Sequence, residues 1–366
     1  MLRDAHGRTI DYLRISVTDR CDLRCVYCMP PEGVPSIEHD DVLRFEEIEA
    51  VVRAGVGLGI KNVRLTGGEP LTRIGIATLI QKLRAVPGLN DLAMTTNGAL
   101  FSQMGRSLRE AGLARVNFGI SSLDPDIYGN ITRSGRLGDA QDGLDAAISL
   151  GFVPIKLNVV VMRGVNEDLT GFVTLAGDRP VHVRFIEYMP IGAADHLSLF
   201  VPASEIRQRI SAIAELEPLD ALKDMERLKI TGGTSDRDAR VSISAHRLAP
   251  ARSITTLASN SVAGAIPAGH GPVQSVWRVP NGQGSIAIIA PLTEHVCGNC
   301  NRLRLTADGR LRPCLFSGDE IDLKPALRPA LNIELLKSLL MEAVNKKPKS
   351  LRETRDFGRK MSQIGG

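Results

Sequence analysis

The sequence has no apolar run approaching the roughly 20 residues needed to span a bilayer. Its opening, Met1 to Arg8, lacks the apolar core of a secretory signal. Both absences point to a cytoplasmic protein that does not act in a membrane. A net charge of +4 over 366 residues is small, which argues against a dedicated nucleic-acid binder, whose basic residues would dominate the total. No cysteine lies between Met29 and Val296, so all six fall in two tight groups near the ends of the chain. In a reducing compartment such cysteines are ligands or catalysts rather than disulfides. Structural cysteines would be scattered. No ordinary acid–base dyad is visible either.

From Tyr12 to about Ile213, short β-branched runs alternate with amphipathic segments. Strands are expected at Tyr12–Val17, Asn62–Leu65, Leu92–Thr95, Arg115–Ile120, Ile155–Met162 and His182–Met189. Helices are expected at Glu46–Leu58, Ile76–Val86, Ser102–Ala111, Asp139–Leu150 and Leu169–Ala176. Such strand–helix units predict an α/β fold with a parallel sheet, since parallel neighbours need helical crossovers. Periodicity leaves an open doubly wound sheet and a partial β/α barrel both standing. Three regions follow by character: 1–215, an irregular insertion or linker at 216–280, and a compact ending at 281–366. The last contains strands at Ile286–Ala290, Leu303–Leu305 and Arg310–Leu311 around an Asp308-Gly309 turn, then a helix at Asn332–Val344.

The first cysteine group is Cys21-x-x-x-Cys25-x-x-Cys28, directly after a strand. Three thiolates so close together suit three corners of a [4Fe–4S] cube. The missing fourth ligand leaves one iron open, as in catalytic rather than structural metal sites. The alternative is a zinc site completed by His6 or His39. Thr66-Gly67-Gly68-Glu69-Pro70 ends the second expected strand, where two glycines permit close backbone approach to a ligand. Cys21 to Cys28 together with this turn resembles the signature of the radical S-adenosylmethionine (SAM) superfamily. The resemblance implies a partial (incomplete) TIM-type β/α barrel. It also implies SAM chelated to the open iron and cleaved to a 5′-deoxyadenosyl radical.

The second group, Cys297-x-x-Cys300 and then Cys314, again has three cysteines. A zinc knuckle completed by His295 is the alternative; beside a first open cluster, a second open [4Fe–4S] cluster is the better reading. On an extended segment Arg302 and Arg304 share one face and form an anion clamp. With Tyr12–Arg20, Val63–Thr66, Thr95–Gly98, Lys156–Asn158 and Arg184–Glu187, this group narrows the resemblance to the molybdenum cofactor biosynthesis protein A family, whose members cyclise GTP.

That resemblance implies Arg14, Arg64, Thr95, Lys156, Arg184, Arg302, Leu303 and Arg304 as GTP contacts, and Tyr27, Gly68, Gly119 and Met189 as SAM contacts. Gly119 stands where relatives commonly carry a serine. Arg14 and the terminal Gly365-Gly366, which would enter the active site, are the implied catalytic residues. The second cluster is placed on the C-terminal extension. Expected partners are a second copy in a homodimer, an electron donor such as flavodoxin or ferredoxin, and the downstream cyclic pyranopterin monophosphate synthase. The rival readings are a peptide-modifying radical enzyme with an auxiliary cluster and a non-enzymatic zinc-binding regulator.

Overall fold

The computed structural model describes residues 2–191, 197–219, 273–294, 296–351 and 359–365. Six strands come first: β1 (Tyr12–Ser16), β2 (Asn62–Thr66), β3 (Asp91–Thr96), β4 (Arg115–Gly119), β5 (Ile155–Val161) and β6 (Val181–Glu187). Between and after them lie α1 (Phe45–Leu58), α2 (Ile76–Arg84), α3 (Phe101–Glu110), α4 (Pro125–Thr132), α5 (Leu137–Ser149), α6 (Thr170–Asp178) and α7 (Ala203–Ile213). Neighbours from β1 to β6 pair in sequence order, every pair parallel. That order is a barrel's, because a doubly wound sheet reverses its strand order at a switch point. Helix α4 was not anticipated, although Asp124 caps it by accepting from the Ile127 N–H (2.9 Å) and Pro125 opens it.

The sheet continues past both ends of this run. Parallel to β1 lies β10 (Arg302–Leu305), and parallel to β6 lies β9 (Ser285–Ile289). Antiparallel β11 (Arg310–Arg312) and β12 (Ile321–Asp322) extend one edge. β8 (Val273–Arg278) and β7 (Glu217–Pro218) extend the other. Among the described residues the sheet therefore has two ends, and the barrel is incomplete. Strand β8 corrects the expectation that 216–280 is irregular throughout: its last residues pair with β9. Of that stretch, 220–272 lie outside the described residues. No helix among the described residues is long and apolar enough to cross a membrane.

The two faces of the sheet differ in kind. Leu13, Ile15, Val63, Leu65, Leu303 and Leu305 face the helices and form one apolar core with them. Their neighbours one residue along, such as Arg14, Arg64, Arg302 and Arg304, turn to the concave side, since side chains alternate along a strand. The polarity of the barrel's interior is thus written into the strands' alternation.

Seating β9 beside β6 depends on Gly284, whose N–H donates to Ala176 O (2.8 Å). A Cβ there would lie 2.1 Å from Val181 O, a backbone atom that cannot yield. Gly284→Ala is expected to cost at least about 1–3 kcal/mol by overpacking, read as a lower thermal midpoint. A melting curve equal to the parent's would contradict this seating.

Candidate active site

One cavity on the concave side is lined by all six cysteines. The first trio sits in the loop that leaves β1, at the C-terminal end of the strands where such barrels place reactive groups. Cys297 and Cys300 lie on the approach to β10, and Cys314 on the exit from β11. The β10–β11 hairpin, turning at Asp308-Gly309, therefore brings together Cys300 and Cys314, which have thirteen residues between them in sequence.

Around the first trio, Gly67 and Gly68 pack against the loop itself. A Cβ on Gly68 would stand 2.0 Å from Arg20 O, so only glycine fits this close crossing. Glu69 is buried and accepts from the Thr96 hydroxyl (2.7 Å), the Asn97 N–H (2.7 Å) and the Leu71 N–H (3.0 Å). Burial pushes its carboxyl up to about 7 despite those donors. Burial likewise raises the thiol of Cys25 to about 11, and raises those of Cys21 and Cys28. Tyr27, Gly119 and Met189 line the same end of the cavity. At Gly119 a Cβ would meet nothing nearer than Thr96 O at 3.9 Å, so the missing side chain leaves open space.

The second trio has a different electrostatic setting. Burial alone would raise Cys300, but Arg302 and Lys347 outweigh it and bring the thiol down to about 6. Arg8 donates to Cys297 O (2.8 Å) and Pro348 O (2.7 Å), fixing the start of this segment from the N-terminus.

Between the trios the lumen is crowded with buried cations. Arg14, Arg64, Arg184, Arg302 and Arg304 line the cavity together with Thr95. Burial first, then each other's charge, lowers Arg14 and Arg64, and brings Arg184 and Arg304 down to about 9. Buried nitrogens of Arg64 (Nε and Nη2) and Arg184 (Nε) have no hydrogen-bond acceptor among the described residues. Buried donors of this kind are costly unless an anion meets them. Lys156 is buried behind this wall, outside the cavity lining. Leu303 differs from its neighbours: its side chain is in the apolar core, on the opposite face from Arg302 and Arg304, so its backbone is the part that could serve the site.

The C-terminus reaches this lumen. Arg304 Nη1 donates to Ile364 O (3.2 Å) and to Gly365 O. Gly365 has φ +71°, and a Cβ on it would lie 2.4 Å from Thr66 Oγ1, so a side chain is excluded on both counts. Gly366 lies outside the described residues, as does His295.

Each trio supplies cysteine thiols alone, the donor type that iron–sulfur clusters take, one thiolate per corner of a cube. Neither His6 nor His39 lines the cavity, and the His39 side chain is 98% exposed. The glycine crossing at Gly68 and the cation-free carboxylate of Glu69 fit the amino-acid end of SAM. Glu69, Tyr12, Asn158 and Lys347 also line the cavity, although sequence reasoning did not single them out.

Known proteins align with both halves of this site. A model of the radical SAM superfamily matches residues 15–175, and a model described as Molybdenum Cofactor Synthesis C matches residues 225–353. The GTP 3′,8-cyclase of Pelotomaculum thermopropionicum is 44% identical over 371 aligned positions, and that of Moorella thermoacetica 42% over 369; each alignment covers all of both chains. The Alkaliphilus oremlandii protein of the same name is 39% identical, again over all of both chains.

The lumen's charge makes anion binding proton-linked. Burial, then Arg184, Arg64 and Arg115, push the Lys156 amine down to about 6. Near pH 8 it is neutral without an anion, and a bound polyphosphate returns its proton. Affinity from this group is therefore full below about pH 6 and falls as pH rises above it. Calorimetry with inorganic tripolyphosphate at pH 8, in buffers of different ionisation enthalpy, should show proton uptake that Lys156→Met largely removes. Equal uptake in parent and variant would contradict the assignment.

Proposed function

The chain belongs to the GTP 3′,8-cyclase family of radical SAM enzymes, and we propose that it converts GTP into (8S)-3′,8-cyclo-7,8-dihydroguanosine 5′-triphosphate, the first step of molybdenum cofactor biosynthesis. The observation that carries this reading is the single cavity in which two cysteine trios flank a wall of buried, under-satisfied arginines. A [4Fe–4S] cluster on Cys21, Cys25 and Cys28 with SAM, when bound, supplies the 5′-deoxyadenosyl radical that takes the ribose 3′ hydrogen.

The chain's own residues position and shield. Glu69 receives the ammonium of the methionine moiety, an ion pair that also relieves its own buried charge. Gly68 lets the backbone approach that moiety, Met189 and Tyr27 enclose it, and Gly119 leaves room beside it. Cys297, Cys300 and Cys314 would hold a second [4Fe–4S] cluster, which would offer the purine a metal ligand site. Arg14, Arg64, Arg184, Arg302 and Arg304 receive the triphosphate with the charge of Lys156 behind them, and the orphaned nitrogens of Arg64 and Arg184 gain the oxygens they lack. Thr95 adds a hydroxyl to this set. Fixing the nucleotide at both ends leaves one ribose hydrogen in reach, which is catalysis by positioning. Gly365 brings its backbone carbonyl to Arg304, where a side chain could not pass, and the family resemblance gives Gly366 a part in the same site. Flavodoxin or ferredoxin as electron donor, pairing of two copies and hand-over to cyclic pyranopterin monophosphate synthase rest on family membership alone.

A peptide-modifying radical enzyme has no use for so many buried cations, and this favours a nucleotide. Anaerobically reconstituted protein given GTP and SAM is expected to form cyclised nucleotide and 5′-deoxyadenosine together. Arg64→Ala should weaken GTP binding about 10- to 100-fold, the worth of one lost charge-assisted contact. SAM cleavage without any cyclised nucleotide, or unchanged GTP affinity in Arg64→Ala, would contradict the reading.

A further inference from the structure

Lys347 is a buried cation that the reaction does not use. It follows the helix Ile333–Asn345 in a stretch, Lys346-Lys347-Pro348-Lys349, that reads as solvated surface. Its side chain is not solvated: Lys347 is 3% exposed and lines the cavity. The ammonium donates to Arg302 O (2.7 Å) and Pro313 O (2.8 Å).

Those two carbonyls occupy a particular place. In the β10–β11 ladder Arg304 pairs with Arg312, so the next step outward would set Arg302 against Cys314. Pro313 has no N–H to continue the ladder. Lys347 stands at the open end in its place, tying the residue two after Cys300 to the residue before Cys314. The spacing between these two cysteines is thus held by one side chain from a third segment. A buried ammonium that donates to neutral carbonyls still needs a counter-charge. Burial holds its ammonium below the usual lysine range, and among the described residues the sulfurs of Cys300 and Cys314 act on it in the opposite sense.

We propose that Lys347 is a positioning residue for the second iron–sulfur cluster, bracing the two cysteine segments and supplying the cation that offsets the thiolate-ligated cluster's negative charge. The proposal rests on reading Cys297, Cys300 and Cys314 as cluster ligands. A cation at this place stabilises the reduced, more negative cluster and so raises its reduction potential. Arg8 holds the backbone of Cys297 from the other side, but the bridge between Cys300 and Cys314 is made by Lys347.

The test uses the full chain with Cys21, Cys25 and Cys28 all changed to Ala, so that only the second cluster is counted. Reconstituted iron and sulfide, iron loss to a chelator and the midpoint potential are measured in this parent and after Lys347→Met, Lys347→Gln and Lys347→Arg. Lys347→Met is expected to lose iron about tenfold faster or more, as for other outer-shell changes, and to show a lower potential, with Lys347→Arg restoring both. Lys347→Gln keeps hydrogen-bond donors without the charge, so it should show the lower potential even if Lys347→Met does not fold. Met and Gln variants matching the parent in retention and potential would overturn the proposal. A parent that takes up no iron would instead overturn the reading of a second cluster.

Discussion

Mutual repulsion among buried cations is the constraint around which the rest of this molecule is arranged. Arg64, Arg184, Arg302 and Arg304 each lower the proton affinity of a neighbour, Arg14 and Lys156 are among those lowered, and Arg115 adds to the same field from behind. Asp91 meets this field from the end of the barrel, where it pairs with Arg115 through Nε (2.7 Å) and Nη2. That single pair does not neutralise the lumen. The apolar packing of the sheet against its helices must therefore carry the strain of a charged interior until an anion arrives. Cationic interiors of this kind are preorganised binding sites: their cost is met in folding, and the ligand meets groups already in place.

The two trios flank this field and are held differently. The first is tied to the barrel's own turns through the Gly68 crossing and the Leu23–Tyr27 loop, whose backbone bonds to the end of α4 (Arg24 N–H to Thr132 O, 3.0 Å). The second depends on segments remote in sequence, the N-terminal Arg8 and the C-terminal Lys347. Between them runs the chain's end. Met361 and Ile364 belong to one apolar cluster with Phe316, against which Cys28, Met189 and Cys314 pack. Arg359 anchors this segment on Asp308 (2.8 Å) and Glu320 (2.7 Å). The segment through Met361 and both cysteine groups thus share one cavity.

How much of this was legible in the sequence varies with the kind of signal. The six strands β1–β6 announce themselves as β-branched runs, and the structure sets them within a residue or two of expectation. Strand β8 was read into the surrounding linker because Val273–Arg278 follows a Gly/Pro-rich stretch. The cysteines were legible from spacing and from what each trio omits. The cations were not: a lone arginine in a strand reads as surface charge, and only resemblance pointed to Arg14, Arg64 and Arg184. Leu303 shows the limit of carrying a motif over whole, since strand alternation sends it to the core. Glu69 and Lys347 gain their character from burial alone, which no local pattern in Glu69-Pro70 or Lys346-Lys347 reveals.

The claim that both cysteine groups serve one reaction on one nucleotide is tested most directly with GTP carrying deuterium at the ribose 3′ carbon. In anaerobic turnover with SAM, the account predicts that the label appears in the 5′-deoxyadenosine formed. Unlabelled 5′-deoxyadenosine accumulating beside intact deuterated GTP would contradict it.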